Sequence, residues 1–367
     1  MSTKEPIRMC RSNRGFTLVE LLVALVLGLI LVSGILSVLS TNKQSFQVTE
    51  NIARIQENAR VAFDVLSRDL KEAGETPCGS KLVANLVRLR PSPSTIPWWS
   101  DWNAGTVRGY SGTTNIADIV PFGTSKNNRV PNTDAILIMQ SDSNSASILS
   151  HDATAMEMVL NSSTSVTQDD VVIACDLQSA AIFQVATFSD TSKILSYDKS
   201  FTALNCSNNL GYPTPVNCAA APTKNFDITY AQIANLKTSF WYIGIGSNGK
   251  NSLYKKRITK RKDSSGIKIT TDTDEVLTNI KDMKIQYLTK NVATNTLASS
   301  WINADNSVFD AGSGAWTESN DQQVVAVRFA ITLQSENSIS TSNTLIEKPL
   351  VYAVGLRSRD TLFQATP

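Results

Sequence analysis

Arg14-Gly15-Phe16-Thr17-Leu18-Val19-Glu20-Leu21-Leu22-Val23-Ala24 opens an apolar run that continues to Leu39 with Glu20 as its single charge. The residues ahead of it carry Lys4, Arg8, Arg11 and Arg14 against one acid, Glu5. About 24 residues of helix at ~1.5 Å each reach ~36 Å, enough to cross a ~30 Å hydrocarbon layer with some tilt. Positive charge ahead of such a span stays on the cytoplasmic side and sends the C-terminal bulk across the membrane. A secretory signal would have a shorter apolar core and a small-residue cleavage site on its far side. No such site follows this run.

The helical pattern does not stop at the membrane edge. Beyond Ser40, Val48, Ile52, Ile55, Ala59, Ala62, Phe63, Leu66, Leu70 and Ala73 recur at spacings of three and four, the period of one helical face. The opposite face is charged, with Glu50 and Arg54, Arg60 and Asp64, Asp64 and Arg68, Arg68 and Glu72, and Lys71 and Glu75 at i,i+4. Gly74, Pro77 and Gly79 supply a stop. The sequence therefore divides into a basic leader over 1–15, a transmembrane half-helix over 16–40, an amphipathic half-helix over 41–76 and a globular remainder over 77–367.

After Gly79 the apolar runs shorten and alternate with polar turns, so the remainder is mainly β. Expected strands are Ala135–Gln140, Met156–Leu160, Val171–Cys175, Ala181–Phe188, Ile194–Tyr197, Leu236–Ile245, Leu253–Ile258, Ile280–Leu288, Val324–Leu333 and Val351–Arg357. Asn248-Gly249 is a hairpin-turn signal, because both residues tolerate positive φ. The expected fold class is α+β: one very long N-terminal helix packed by its apolar face on mainly antiparallel sheet. With 34 basic and 32 acidic residues the net charge is only +2, so bulk composition does not suggest a nucleic-acid binder.

The run Arg14-Gly15-Phe16-Thr17-Leu18-Val19-Glu20-Leu21-Leu22-Val23-Ala24 resembles the cleavage and methylation signature of type IV prepilins. The resemblance implies that Gly15 precedes the bond cut by prepilin peptidase. Phe16 becomes the new, N-methylated terminus, and Glu20 is the acidic residue of filament assembly. An ionised carboxylate inside an apolar helix costs about 2.5–3.5 kcal/mol on insertion scales unless partnered. A neighbouring subunit's cationic N-terminus would be a suitable partner. Further segments are similar to the PilW group of minor pilins: Asp69-Leu70-Lys71-Glu72-Ala73-Gly74 before Cys78-Gly79, Ala174-Cys175-Asp176 with Ala181-Ile182-Phe183-Gln184-Val185, Ile280–Tyr287, Val325–Phe329 and Val351–Arg359. Cys78-Gly79 inverts the group's usual Gly-Cys order.

That likeness implies a non-catalytic subunit, without cofactor, that helps initiate a pilus and sits at or near its tip. Its partners would be the peptidase, other minor pilins, the major pilin, the inner-membrane assembly platform, a tip adhesin and membrane lipid, with no nucleic acid. It would sit in the bacterial inner membrane as a single-pass protein, its C-terminal domain in the periplasm, and then join the filament at the cell surface. A pseudopilin of a type II secretion system shares the same signature, and a filament-borne adhesin or DNA-binding pilin is the binding-class alternative.

Of five cysteines, Cys10 lies in the leader, which leaves Cys78, Cys175, Cys206 and Cys218. Four cysteines allow three pairings. Asn208, Asn209, Gly211, Pro213 and Pro215 make 207–217 read as a compact loop, which favours Cys206 with Cys218 and leaves Cys78 for Cys175. Four free thiols are the alternative. His151, the only histidine, lies between Ser150 and Asp152 and reads as a solvated loop residue, not a catalytic one. Asp305, Asn306, Asp310 and Glu318 are rich in oxygen but miss EF-hand spacing, so no metal is assigned. Lys255, Lys256, Arg257, Lys260, Arg261 and Lys262 form the densest basic run, more in keeping with a charged sheet edge than with a DNA contact. Trp98, Trp99 and Trp102 serve equally well as a docking surface or as a lid on the core.

Overall fold

A computed structural model describes residues 17–79, 82–89, 95–162, 165–202, 204–211, 217–219, 221–263, 266–309, 322–338 and 344–359. Helix α1 (Leu18–Lys71) is a single unbroken element of 54 residues, about 81 Å long at ~1.5 Å per residue. It stops five residues short of the expected boundary. Glu72 caps it, and Gly74, at φ 76°, turns the chain so that its N–H donates to the Met139 carbonyl of the sheet. Burial starts at Asn51; the residues before it are exposed or half-exposed along the whole apolar run. Two of the expected surface pairs close, Arg54 with Glu50 at 3.0 Å and Arg68 with Asp64 at 3.4 Å.

The strands follow in the order β1 (Val83–Asn85), β2 (Val107–Tyr110), β3 (Ala135–Ser141), β4 (Ala146–Asp152), β5 (Glu157–Leu160), β6 (Val171–Cys175), β7 (Ala180–Gln184), β8 (Thr187–Ser189), β9 (Ile194–Ser196), β10 (Gln232–Ile245), β11 (Asn251–Asp263), β12 (Gly266–Thr278), β13 (Ile280–Asn291), β14 (Thr296–Leu297), β15 (Ile302–Asn303), β16 (Gln322–Gln334) and β17 (Glu347–Gly355). β1 to β12 form one sheet and β13 to β17 a second. All pairings are antiparallel except β1 with β7. The expected turn at Asn248-Gly249 joins β10 to β11, with Gly249 at φ 77°.

β10 organises the first sheet. Its first residues pair with β6 and β4, and its later ones with β3 and β11. Both faces of this strand are covered, which is why its apolar residues do not alternate with polar ones. Phe240 and Tyr242 join one core with Trp99, Trp102, Leu137 and Ile182. Trp241 and Ile243, on the other face, meet α1. The tryptophans of the 98–102 segment thus close the core: Trp99 and Trp102 are buried, and Trp98 packs edge-on against Phe240.

The helix-side core gathers Ile55, Ala59, Ala62, Leu66, Leu70 and Ala73 with Ile136, Trp241, Met283, Ile285, Phe329 and Ile331. Each fully buried leucine there contributes roughly 2 kcal/mol. Where α1 ends, the same face of the first sheet is covered instead by β4, β5 and β9, whose Ile148, Met158, Leu160 and Leu195 pack on Val172, Ala181 and Phe183. Among the described residues, none of α1 contributes to this core. Contacts climb the helix in order: Arg54 reaches Glu336, Asp69 reaches Trp241, Glu72 reaches Gln140, and Cys78, just past the end, is bonded to Cys175.

The expected strands recur with ends shifted by up to five residues, while β1, β2, β4, β12, β14 and β15 have no counterpart among them. β12 has a polar centre, Thr270, Thr271, Asp272, Thr273, Asp274 and Glu275, between Ile269 and Val276-Leu277, and has no counterpart among the expected strands; its ladder to β11 holds that centre. β4 is likewise unexpected, being mostly exposed. The span 181–188 breaks into β7 and β8 at Val185 and Ala186, whose N–H groups bond to Asp170 and Ser196 outside the β6–β7 ladder.

One polar contact fixes the azimuth of the helix. Asp69, almost fully buried on α1, accepts from Trp241 Nε1 at 2.8 Å and from Lys255 Nζ at 2.8 Å, and the ammonium also lies 5.0 Å from the Trp241 ring centre. Removing that acceptor strands an indole N–H and a half-buried ammonium. Asp69→Ala is expected to cost about 2–4 kcal/mol, and Asp69→Asn less, because the amide oxygen still accepts from the indole. Denaturant unfolding of the detergent-solubilised chain checks both.

Candidate processing and assembly site

Gly15 and Phe16 lie outside the described residues. The local structure they lead into is defined. Thr17 is extended, at φ −75° and ψ 149°, and is the N-cap of α1. Its hydroxyl accepts from the Glu20 N–H at 3.3 Å, and Glu20 Oε2 accepts from both the Thr17 N–H and the Thr17 hydroxyl at 3.0 Å. This reciprocal capping box satisfies two of the donors that every helix start leaves open. The helix therefore begins immediately after the Gly15–Phe16 pair. Both bonds to Glu20 fall on Oε2, so Oε1 has no partner among the described residues. Within the chain, half of the Glu20 carboxylate is thus already engaged.

The four remaining cysteines sit in two pairs. Cys78 joins Cys175 with Cα atoms 5.8 Å apart, tying the exit of α1 to the end of β6. Cys206 joins Cys218 with Cα atoms 5.3 Å apart.

His151 is not on a loop. It lies in β4, half-buried, with Nδ1 accepting from the Phe226 N–H at 3.3 Å and Nε2 2.8 Å from the Tyr197 hydroxyl. Burial holds its pKa below the usual histidine value, keeping the ring neutral as those two bonds require. Successive side chains on a strand point to opposite faces, so Ser150 and Asp152 face away from the ring. Asp152 instead caps a turn through the N–H groups of Thr154 and Ala155. Sequence adjacency defeats this would-be triad.

The basic run is largely matched by partners. Lys255 meets Asp69, Arg257 meets Asp274 at 3.1 Å, Lys260 meets Asp170 at 2.8 Å and Arg261 meets Asp272 at 3.7 Å. Lys256 donates to the Ile119 carbonyl, and burial lowers its pKa. The acids of β12, invisible as a strand in sequence, face the cations of β11 across the ladder. Asp310 and Glu318 lie outside the described residues, and Asn306 accepts from the Val308 N–H. Among the described residues no three His, Cys, Asp or Glu side chains gather as a metal-binding group.

Residues 10–36 match the model of the prokaryotic N-terminal methylation motif. No curated protein and no solved structure matches the chain. The motif supports a type IV prepilin-like or pseudopilin-like protein, and α1 is long and apolar enough in its first half to cross a membrane.

Two expectations follow for the domain. Replacing Cys78 and Cys175 by serine opens a loop of 97 residues and should cost about 4.5 kcal/mol; replacing Cys206 and Cys218 opens one of 12 and should cost about 3 kcal/mol. Non-reducing peptide mapping and comparative unfolding read both. Asp176 is buried, which raises its pKa, but the Lys224 ammonium at 2.6 Å and the N–H groups of Ser179, Asp227 and Gln178 outweigh burial and hold it below 3.8. A depressed carboxylate stabilises the fold above its unfolded value and loses that contribution as pH falls through the folded one. Stability should thus decline below about pH 4, and less steeply in Asp176→Asn. Thermal unfolding across pH, read as the difference between the two chains, tests this; the opposite trend at buried Asp134, whose pKa is raised, cancels in that difference.

Proposed function

We propose that the chain is a subunit of a type IV pilus, a PilW-like minor pilin without catalytic activity that helps start filament assembly and stays at or near the tip. It is made as a prepilin, cut between Gly15 and Phe16 by prepilin peptidase, and methylated at Phe16. Residues 16–40 hold it in the inner membrane, with the domain on the periplasmic side, until it enters the filament.

The observation that carries this reading is the two-part surface of α1. Its first half is apolar and bare among the described residues, while its second half buries one face in the domain. An apolar helix left bare requires lipid or other helices around it. A prepilin has both in turn, the bilayer before assembly and its neighbours' helices afterwards. Glu20 fits the change of surroundings: one carboxylate oxygen caps its own helix, and the other is available to a neighbour's terminal amine. Tip placement is carried over from the PilW likeness. The PilW likeness rests on the ordered segments from Asp69 to Arg359. A type II secretion pseudopilin shares the motif and the helix, and the gene neighbourhood separates the two.

Mass spectrometry of the mature protein should give an N-methylated Phe16 terminus, and Gly15→Leu should leave the leader attached. Glu20→Ala should insert and accumulate as the parent does, because removing a charge from an apolar segment favours insertion by about 3 kcal/mol or less. Its recovery in sheared filaments should fall at least tenfold. A variant that piliates normally removes the assembly role of the carboxylate, whereas one that fails to accumulate assigns Glu20 to insertion.

A further inference from the structure

We infer that the outer face of the second sheet carries a binding site for a hydroxyl-rich ligand, a saccharide unit of a glycan. The strand period separates two faces there. Met283, Ile285 and Tyr287 of β13 and Phe329 and Ile331 of β16 point into the helix-side core. Their neighbours Lys284, Gln286, Arg328 and Ala330 therefore point the other way, and a cleft of about 400 Å³ opens over them. That size lies within the range of small-molecule sites, roughly 300–1,000 Å³. Phe63 of α1 packs against Phe329 and Tyr352 on the inner side. The cleft thus faces away from the helix.

Its walls are set before any ligand arrives. The Arg328 guanidinium lies 4.9 Å from the Trp301 ring centre, and its Nε and Nη2 both donate to Gln286 Oε1, the first at 3.1 Å. Gln286 Nε2 in turn donates to Asn303 Oδ1 at 3.1 Å. The opposite wall is the 110–134 segment, pinned from inside by Arg129. This fully buried guanidinium donates to the carbonyls of Tyr110, Ser111, Thr114 and Thr133, and burial lowers its pKa to about 10. Asp134 bonds the two walls, accepting from the Gly112 and Ile285 N–H groups at 2.9 and 2.8 Å. Lys284 Nζ crosses the same seam to the Asn132 carbonyl.

The groups left over decide the ligand class. Arg328 Nη1 and Asn303 Nδ2 are donors, the Asp305 carboxylate is an acceptor and the Asn132 side-chain amide is both; none has a partner among the described residues. Lys284 and Arg328 are balanced by Asp134 and Asp305. A phosphate or sulfate would call for a surplus of donors, and an amine for a surplus of acceptors. A hydroxyl donates once and accepts twice, so vicinal hydroxyls match this mixed and neutral set.

The outward placement of the cleft in a filament rests on the pilus reading, since it assumes that α1 lines the filament axis. The test separates the two. The full chain in lipid nanodiscs, probed on a printed array of neutral, sialylated and sulfated mono- to hexasaccharides, should bind a subset of neutral glycans. Asp305→Ala and Asn303→Ala should lower that signal at least tenfold, while Lys348→Ala, on the exposed edge of β17, should leave it unchanged. Binding of no glycan, equal binding by parent and Asp305→Ala, or retention of sulfated glycans alone overturns the proposal. Recovery of Asp305→Ala in sheared filaments at the parent level shows that lost binding is not lost assembly. A parent chain that binds glycans but never enters filaments upholds the cleft and overturns the pilus reading.

Discussion

Ile55, Ala59, Ala62, Leu66, Leu70 and Ala73 form one stripe on α1, and both sheets lean on it. The first sheet supplies Ile136, Trp241 and Ile243; the second supplies Met283, Phe329 and Ile331. Hydrophobic burial is not directional, so a stripe alone lets a helix roll in its groove. Asp69 prevents that, because its carboxylate must meet both Trp241 Nε1 and the Lys255 ammonium. The remaining architecture depends on this seating: the exit of α1 sets Cys78 beside Cys175, and the roll of the helix sets Phe63 against Tyr352.

The same helix meets two different surroundings. Its C-terminal half is stabilised by the domain, whereas its N-terminal half is bare and apolar, a state that water does not favour. An isolated soluble protein would have no use for such a segment. A subunit that moves from bilayer to helical bundle has, since both cover the same side chains. Glu20 is the one charged residue in that segment, and its capping box with Thr17 fixes the start of the helix.

The domain manages its charges internally. Cations of β11 face acids of β12, Lys260 reaches Asp170, and Lys224 is held by Asp176. A near-neutral chain with paired charges has little long-range field with which to steer an anionic partner. Recognition on this surface therefore falls to short-range hydrogen bonding, and the cleft over Gln286 and Arg328 is where such groups converge.

Local sequence was enough for everything that depends on near neighbours. The apolar run from Phe16, the three-and-four spacing through Ala73 and the Asn248-Gly249 turn each report a periodicity or a dihedral preference, and each describes its element to within a few residues. The α+β class follows from them. Strands built on Ile, Val, Leu and Phe were legible for the same reason, while β12 was not, since its central Thr270–Glu275 stretch is held by its ladder to β11 and by ion pairs with the cations facing it. Only the tertiary structure could put His151 against Tyr197 and Phe226, turn Trp99 and Trp102 inward, give the basic run its acids, and bring Asn132, Gln286, Asn303 and Arg328 around one cleft. Those residues lie far apart in the chain, and contacts between distant segments are chosen by packing and register, which no short window of sequence contains.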